Sequence, residues 1–259
     1  MGHIVVNNAS GLVIAGGVAS AASVDIGQSL NADFANVASG AGTLSGTVTR
    51  LTGGANSYVA GVAGTGTLVL SGQQVLNGAT VATVDRGVVV YGGSAQLNSP
   101  TTKLIEGSST ATTSAVNLSI ADAAQIVVSS LTLGGTNTSA QAITFNMNGG
   151  SLTAGTINLF GGATASAVVA NFNGGVATIG SLTKTGTPTS LALNLNGGVL
   201  QASANSSSFL GGVNATIGTN GAKFDTQANN VTIGSTLTGT TGGLTKSRVG
   251  TLTLAGPPS

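Results

Sequence analysis

The chain has 259 residues, of which 42 are Gly, only eight are Phe or Tyr, and none is Cys or Trp. Charged residues make up 5% and the net charge is +1, far from the roughly 25% charged content of an ordinary soluble domain. Disulfides and thiolate metal sites are excluded, no basic stripe exists for nucleic acid, and a mean hydropathy of +0.41 does not fit a highly charged disordered chain. With so few aromatic residues, the apolar surface has to be buried in a thin core of Val, Leu, Ile and Ala.

At the N-terminus, His3 is the only histidine. Beside Met1 and Gly2 it is read as inert, so neither a Ser-His-Asp triad nor a histidine metal site has a member. Ile4 to Ser23 (IVVNNASGLVIAGGVASAAS) has the length of a signal peptide, but it lacks a basic n-region and Asn7, Asn8 and Ser10 interrupt it. It is predicted to be strand material. Residues 1–54 are less regular than the rest and are expected to form the first rungs or a cap. They continue into a repeat-containing body over 55–259. Every apolar run is broken well short of the roughly 18 residues a transmembrane helix needs.

Short strands follow. Ser99-Pro100, the Ser/Thr-rich stretch 108–114, Thr185–Ser190 and Asn205–Ser208 are read as loops projecting from the rungs. The clearest repeat is FNMNGG at 145–150, ANFNGG at 170–175 and LALNLNGG from Leu191. It aligns Asn148, Asn173 and Asn196 in one column and Asn146, Asn171 and Asn194 in another. IGTNGA is read as a degenerate fourth copy that puts Asn220 in the first column, after nearly even steps along the chain. Apolar residues alternate with Asn as a half-buried strand requires, and the Gly pairs supply tight corners.

A period of about 24 residues suits one turn of a three-sided solenoid. The predicted fold is therefore all-β, a parallel β-helix with about 24 residues per rung and roughly ten rungs. The six asparagines are expected to form structural ladders up the rod; a sugar-binding strip is the other reading of the same rows. A two-sheet sandwich is the alternative fold. Thr, Val, Asn, Ser and Gly are poor helix formers, and no helical stripe runs along the chain.

The run Gly242 to Gly256, GGLTKSRVGTLTLAG, resembles the autotransporter-associated β-strand repeat, with Arg248 in place of a usual Gly and Ala255 in place of a usual Ser. GTGTLVLSG at 64–72, with NGATVATVDRGVVVYGGSAQL soon after it, is similar to a second copy. NGAKFDTQANNVTI at 220–233 is similar to the phrase that precedes the motif in long repeats of bacterial surface proteins. The resemblance implies a right-handed parallel β-helix, secreted or displayed on the cell surface, from a parent associated with an outer membrane. It implies no single activity.

The residues offer little catalytic chemistry. Stacking could bring Asp85 and Glu106, slightly less than one period apart, together as polysaccharide-cleaving carboxylates, or align Asp85 with the adjacent Arg86 and Lys103 in a lyase-like group. Isolated solubilising charges are the simpler expectation. Asp225 is expected to pair with Lys223 on one strand face. Tyr58 and Tyr91 are read as partly buried packing residues, with a glycan contact as the alternative. Thr251 and Thr253 do not recur at every rung as an ice-binding face requires, and no calcium-binding nine-residue repeat is present. The expected role is a non-catalytic structural or adhesive stalk, without a cofactor. Its expected partners are further copies of itself, through head-to-tail or lateral contact, or glycans on a host or neighbouring cell surface. A glycan-binding or polysaccharide-cleaving β-helix is the alternative.

Overall fold

A computed structural model of the chain describes residues 67–256, except 77–78, 85–86, 108–114, 136–139, 163–165 and 240. Before residue 67 it describes only the strand segments 3–6, 12–14, 23–26, 35–37, 41–45, 47–50 and 57–60. The architecture is all-β: parallel strands stack as a β-solenoid of about seven turns, about 25 residues apart. Every described strand pairing is parallel, from His3–Val6 on Ser23–Ile26 to Val231–Ile233 on Leu252–Leu254. That pairing is incompatible with an antiparallel sandwich.

Each turn has three short sides. The first carries Gly87–Tyr91, Val116–Ile120, Ala142–Met147, Ala167–Phe172, Ser190–Leu195 and Ala215–Ile217, stacked in that order within a nine-stranded sheet. The second and third sides share one larger sheet, because strands such as Gln125–Leu133, Ser151–Asn158 and Val176–Thr183 run through both. Their burial shows where they turn. The alternation of inward and outward residues loses its phase at Ser129-Ser130, Gly155-Thr156 and Gly180-Ser181, and a strand that flips phase has rounded a corner.

Register converts the sequence repeat into columns. One interior column on the first side reads Leu70, Tyr91, Ile120, Met147, Phe172, Leu195 and Ile217. Its neighbour contains Phe145, and the Phe145 and Phe172 rings meet edge to face at 5.8 Å. On the third side Leu104, Leu131, Ile157 and Leu182 stack in the same manner. Tyr91 is fully buried, not half-buried packing at the surface, and burial pushes its hydroxyl pKa well up. The side chain of Tyr58 lies outside the described residues.

Corners are held close by glycine. Gly175 adopts φ 70°, and a Cβ there would collide with the Gly149 carbonyl oxygen of the rung beneath. Left-handed φ and close axial contact thus exclude a side chain at the same point. Arg248, where the resembled motif has Gly, also adopts a left-handed φ of 65°.

Three expected features differ. Ser99-Pro100 is not a projecting loop: it lies within the strand Gln96–Glu106, whose register shifts between Ser99 and Lys103. Residues 205–208 mostly belong to the strand Ser206–Leu210, where a similar shift absorbs the extra residues. In both, the added length is taken up as a bulge, which keeps backbone groups paired where a loop would release them. Asn220 does not continue the Asn148 column. Pairing sets Thr216 against Asn194 and Ile217 against Leu195, so the position beside Asn196 falls to Gly218. Thr185–Ser190 does run as a loop as far as Thr189, whereas 108–114 lies outside the described residues. The division expected at residue 54 falls in a stretch described only as strand segments. There Ser23–Ile26 and Thr47–Arg50 join the large sheet in order.

Phe172→Ala should lower the stability of its segment by about 3–5 kcal/mol, as removal of a buried aromatic ring does. Gly175→Ala should cost about 2 kcal/mol or more through its φ and the backbone collision. Denaturant unfolding of both variants followed by circular dichroism checks the pair. An exposed control on the same rungs, Thr153→Ala, should stay within about 0.5 kcal/mol of the parent.

Candidate functional site

The most distinctive polar arrangement is on the outside of the first side. Residues that alternate with the interior columns point outward, and there the three NGG repeats place their asparagines. Asn171 Nδ2 donates to Asn146 Oδ1 at 2.8 Å, and Asn194 Nδ2 to Asn171 Oδ1 at 2.8 Å. Asn146 Nδ2 donates onward to Asn117 Oδ1 at 3.1 Å. In the second row Asn173 Nδ2 donates to Asn148 Oδ1 at 3.0 Å. Asn196 departs from the pattern, because its Oδ1 accepts the backbone N–H of Asn220 at 3.0 Å. Asn117, one rung before the repeat, was not visible as a member from sequence, since no NGG follows it.

Each amide carries two N–H groups and an oxygen with two lone pairs, so a ladder leaves part of each amide facing solvent. Beyond Asn194 the rows open into a shallow hollow of about 370 Å³. It is lined by Asn171, Asn173, Asn194 and Asn196, with Thr216, Gly218 and Thr219 at its end. No charged side chain lines it.

A second polar row runs along the next side. Thr178 Oγ1 donates to Gln201 Oε1 at 2.8 Å, and Gln201 Nε2 donates to Asp225 Oδ2 at 2.9 Å. Asp225 also accepts the backbone N–H of Gln227 at 2.9 Å and forms an ion pair with Arg248 Nε at 3.1 Å. Its partner is therefore not Lys223, which stands exposed on the same strand. The cation comes instead from the following turn of the solenoid. Burial by itself raises the Asp225 carboxyl pKa, but hydrogen bonds from Gln201 and Gln227, together with Arg248, outweigh it. The net pKa lies below the ordinary 3.8.

Glu106 is the opposite case. Register puts it in an interior column between Val84 and Leu133, and it is 0% exposed. Its Oε1 accepts the Leu118 N–H at 3.0 Å, while Oε2 has no partner. Desolvation drives its pKa well above the ordinary 4.5, against the smaller pull of backbone hydrogen bonds. Lys103 is exposed, on the other face of the same strand. Glu106 and Lys103 thus lie on opposite faces of their strand, and Asp85 and Arg86, the other members of the carboxylate pair and of the lyase-like group, lie outside the described residues. Buried Glu106 has no open cleft in which to meet a substrate. Among the described residues no group of three His, Cys, Asp or Glu is placed to hold a metal ion, and no helix is long and apolar enough to cross a membrane.

The two carboxyl groups give a signed pH dependence. Asp225 has a depressed folded pKa, so its contribution is present above 3.8 and lost as pH falls below it. Glu106 has a raised folded pKa, so its protonated form supports the fold up to 4.5 and that support is lost progressively as pH rises beyond it. Thermal stability should therefore peak in mildly acidic solution and decline toward neutrality. Glu106→Gln should remove most of the decline on the alkaline side and raise the melting temperature at neutral pH. Melting curves across pH for the parent and this variant check it; an unchanged alkaline slope in the variant would refute the assignment.

Comparison with protein-family models, with curated proteins and with solved structures gives no match. What the geometry itself shows is a β-helix repeat protein.

Proposed function

We propose that the chain is a non-catalytic structural or adhesive stalk segment of a secreted or cell-surface bacterial protein of the autotransporter-passenger type. The observation that carries this reading is the axial register of the first side, which runs without a shift from Val116–Ile120 to Ser190–Leu195 and carries interior columns and exterior polar rows through successive turns. Such a rod gains stability rung by rung from nearest neighbours, so length and stiffness come with the fold. The motif at Gly242–Gly256 supplies a rung of this rod, which fits its resemblance to passenger repeats. Among the described residues, Glu106 is enclosed in the core and Asp225 is held in an ion pair, which does not favour a glycoside-cleaving role for either.

Self-association belongs to the same proposal. With 5% charged residues, repulsion between copies is weak. The rod is proposed to associate with further copies of itself along its sides.

Sedimentation velocity over a wide concentration range, paired with negative-stain images, tests both parts. An elongated particle whose sedimentation coefficient grows with concentration is expected. A compact particle would contradict the stalk, and a concentration-independent coefficient would contradict the association.

A further inference from the structure

We propose that the hollow at the end of the asparagine rows binds the hydroxyl-bearing edge of a neutral polysaccharide. This deepens the adhesive part of the reading above by naming the surface and the class of ligand, and it rests on that reading.

The hollow exists because one rung is shorter than its neighbour. The six-residue strand Ser190–Leu195 is followed by the three-residue strand Ala215–Ile217, which covers only Leu193, Asn194 and Leu195 of it and pairs on its other side with Leu237 and Thr238. The inner row therefore passes from Asn194 to the smaller Thr216. The outer row passes from Asn196 to Gly218, which has no side chain. A Cβ at Gly218 would collide with the Asn196 amide oxygen, so glycine here lets the amide lean across the next rung. The floor is thus built by a glycine that the amide itself requires.

The unspent hydrogen-bonding groups are concentrated at this end. Asn171 is committed in both directions, donating to Asn146 and accepting from Asn194. By contrast Asn194 Oδ1, Asn173 Oδ1 and Asn196 Nδ2 have no partner among the described residues, although each of these side chains is anchored through its other end. Acceptors and a donor are left side by side on amides whose orientation is already fixed, so binding loses little side-chain freedom.

The ligand class follows from what the hollow offers and lacks. A carboxamide presents a donor and an acceptor together, which matches adjacent hydroxyls on a pyranose ring. No cation stands in the lining to receive a uronate or a sulfate. The rungs repeat at roughly 4.8 Å, close to the residue repeat of an extended β-linked pyranose chain, so neighbouring sugars can meet neighbouring rungs. Six of the chain's eight aromatic residues, Tyr91 and five phenylalanines, are fully buried, and none lines the hollow. Contact is therefore through the hydroxyl edge of the sugar and not by ring stacking. A site of this kind holds one chain weakly, on the order of millimolar, and becomes adhesive when many copies face one polysaccharide surface.

The test is an NMR titration of the full chain with its asparagine side-chain amides isotopically labelled. The probes are xylohexaose and cellohexaose as neutral β-linked ligands, and hexagalacturonate as the acidic one. The neutral ligands should cause saturable shifts at the Asn173, Asn194 and Asn196 amides, with Asn117 and Asn146 unmoved. Asn196→Ala and, separately, Thr219→Val should each weaken binding, the former by roughly tenfold, while the melting temperature stays close to the parent. Absence of shifts with both neutral hexasaccharides would overturn the proposal. So would shifts scattered over the surface, undiminished binding by either variant, or equal binding of hexagalacturonate. Sedimentation as a rod is independent of all these outcomes, so loss of the binding site and loss of the stalk would be told apart.

Discussion

The structure depends on axial backbone hydrogen bonding between parallel strands that stay in register from one turn to the next. An interior only one side chain deep cannot hold itself together by bulk. It needs every turn to place an apolar residue over an apolar residue, as Ile120, Met147, Phe172 and Leu195 do on the first side. The unusual composition follows. Large aromatics are used sparingly because the section is narrow, and glycine is abundant because corners such as Gly149–Gly150 and Gly174–Gly175 bring backbone against backbone.

Stacking also governs the polar residues. A side chain on the outside of a rung sits a few ångströms from its equivalents above and below, so identical amides become partners and like charges become a liability. The asparagine rows exploit the first consequence. The row that ends in Asp225 answers the second by alternating type: a threonine, a glutamine, the carboxylate, then an arginine from the following turn. Arg248 accepts a left-handed backbone to reach that place, a strain of about 1–2 kcal/mol set against the pairing it makes. Glu106 has no such neighbour, since Val84 and Leu133 flank it in its column, and a neutral carboxyl is the form the core tolerates.

Much of this was legible from the residues. NGG recurring at an even period, with apolar residues alternating before it, encodes a strand, a corner and a repeat together, and the parallel solenoid follows. Where the reading missed, the missing information was register. IGTNGA looks like a fourth NGG copy, but pairing runs from Leu195 to Ile217, and the extra residues enlarge the corner after Gly218. Lys223 reads as the natural partner of Asp225 because it is near in sequence. In a solenoid the nearer neighbour in space is one turn away, and that residue is Arg248. Glu106 reads as a surface charge because acids usually are; only its alignment with Val84 and Leu133 turns it inward. The hollow beside Asn196 arises from the shortness of one strand, a feature that propensity does not register.

The register itself is open to direct measurement, and a chain without cysteine makes this clean. Spin labels on cysteines introduced at Thr153 and Thr178, which face each other on adjacent turns, and at Gln201 on the next, report contact by electron paramagnetic resonance. Stacked turns predict strong spin exchange for the pair and a further collapse toward a single exchange-narrowed line for the triple-labelled protein. Spectra equal to the sum of the singly labelled proteins would show that these turns do not lie one upon another, and the account would fail at its foundation.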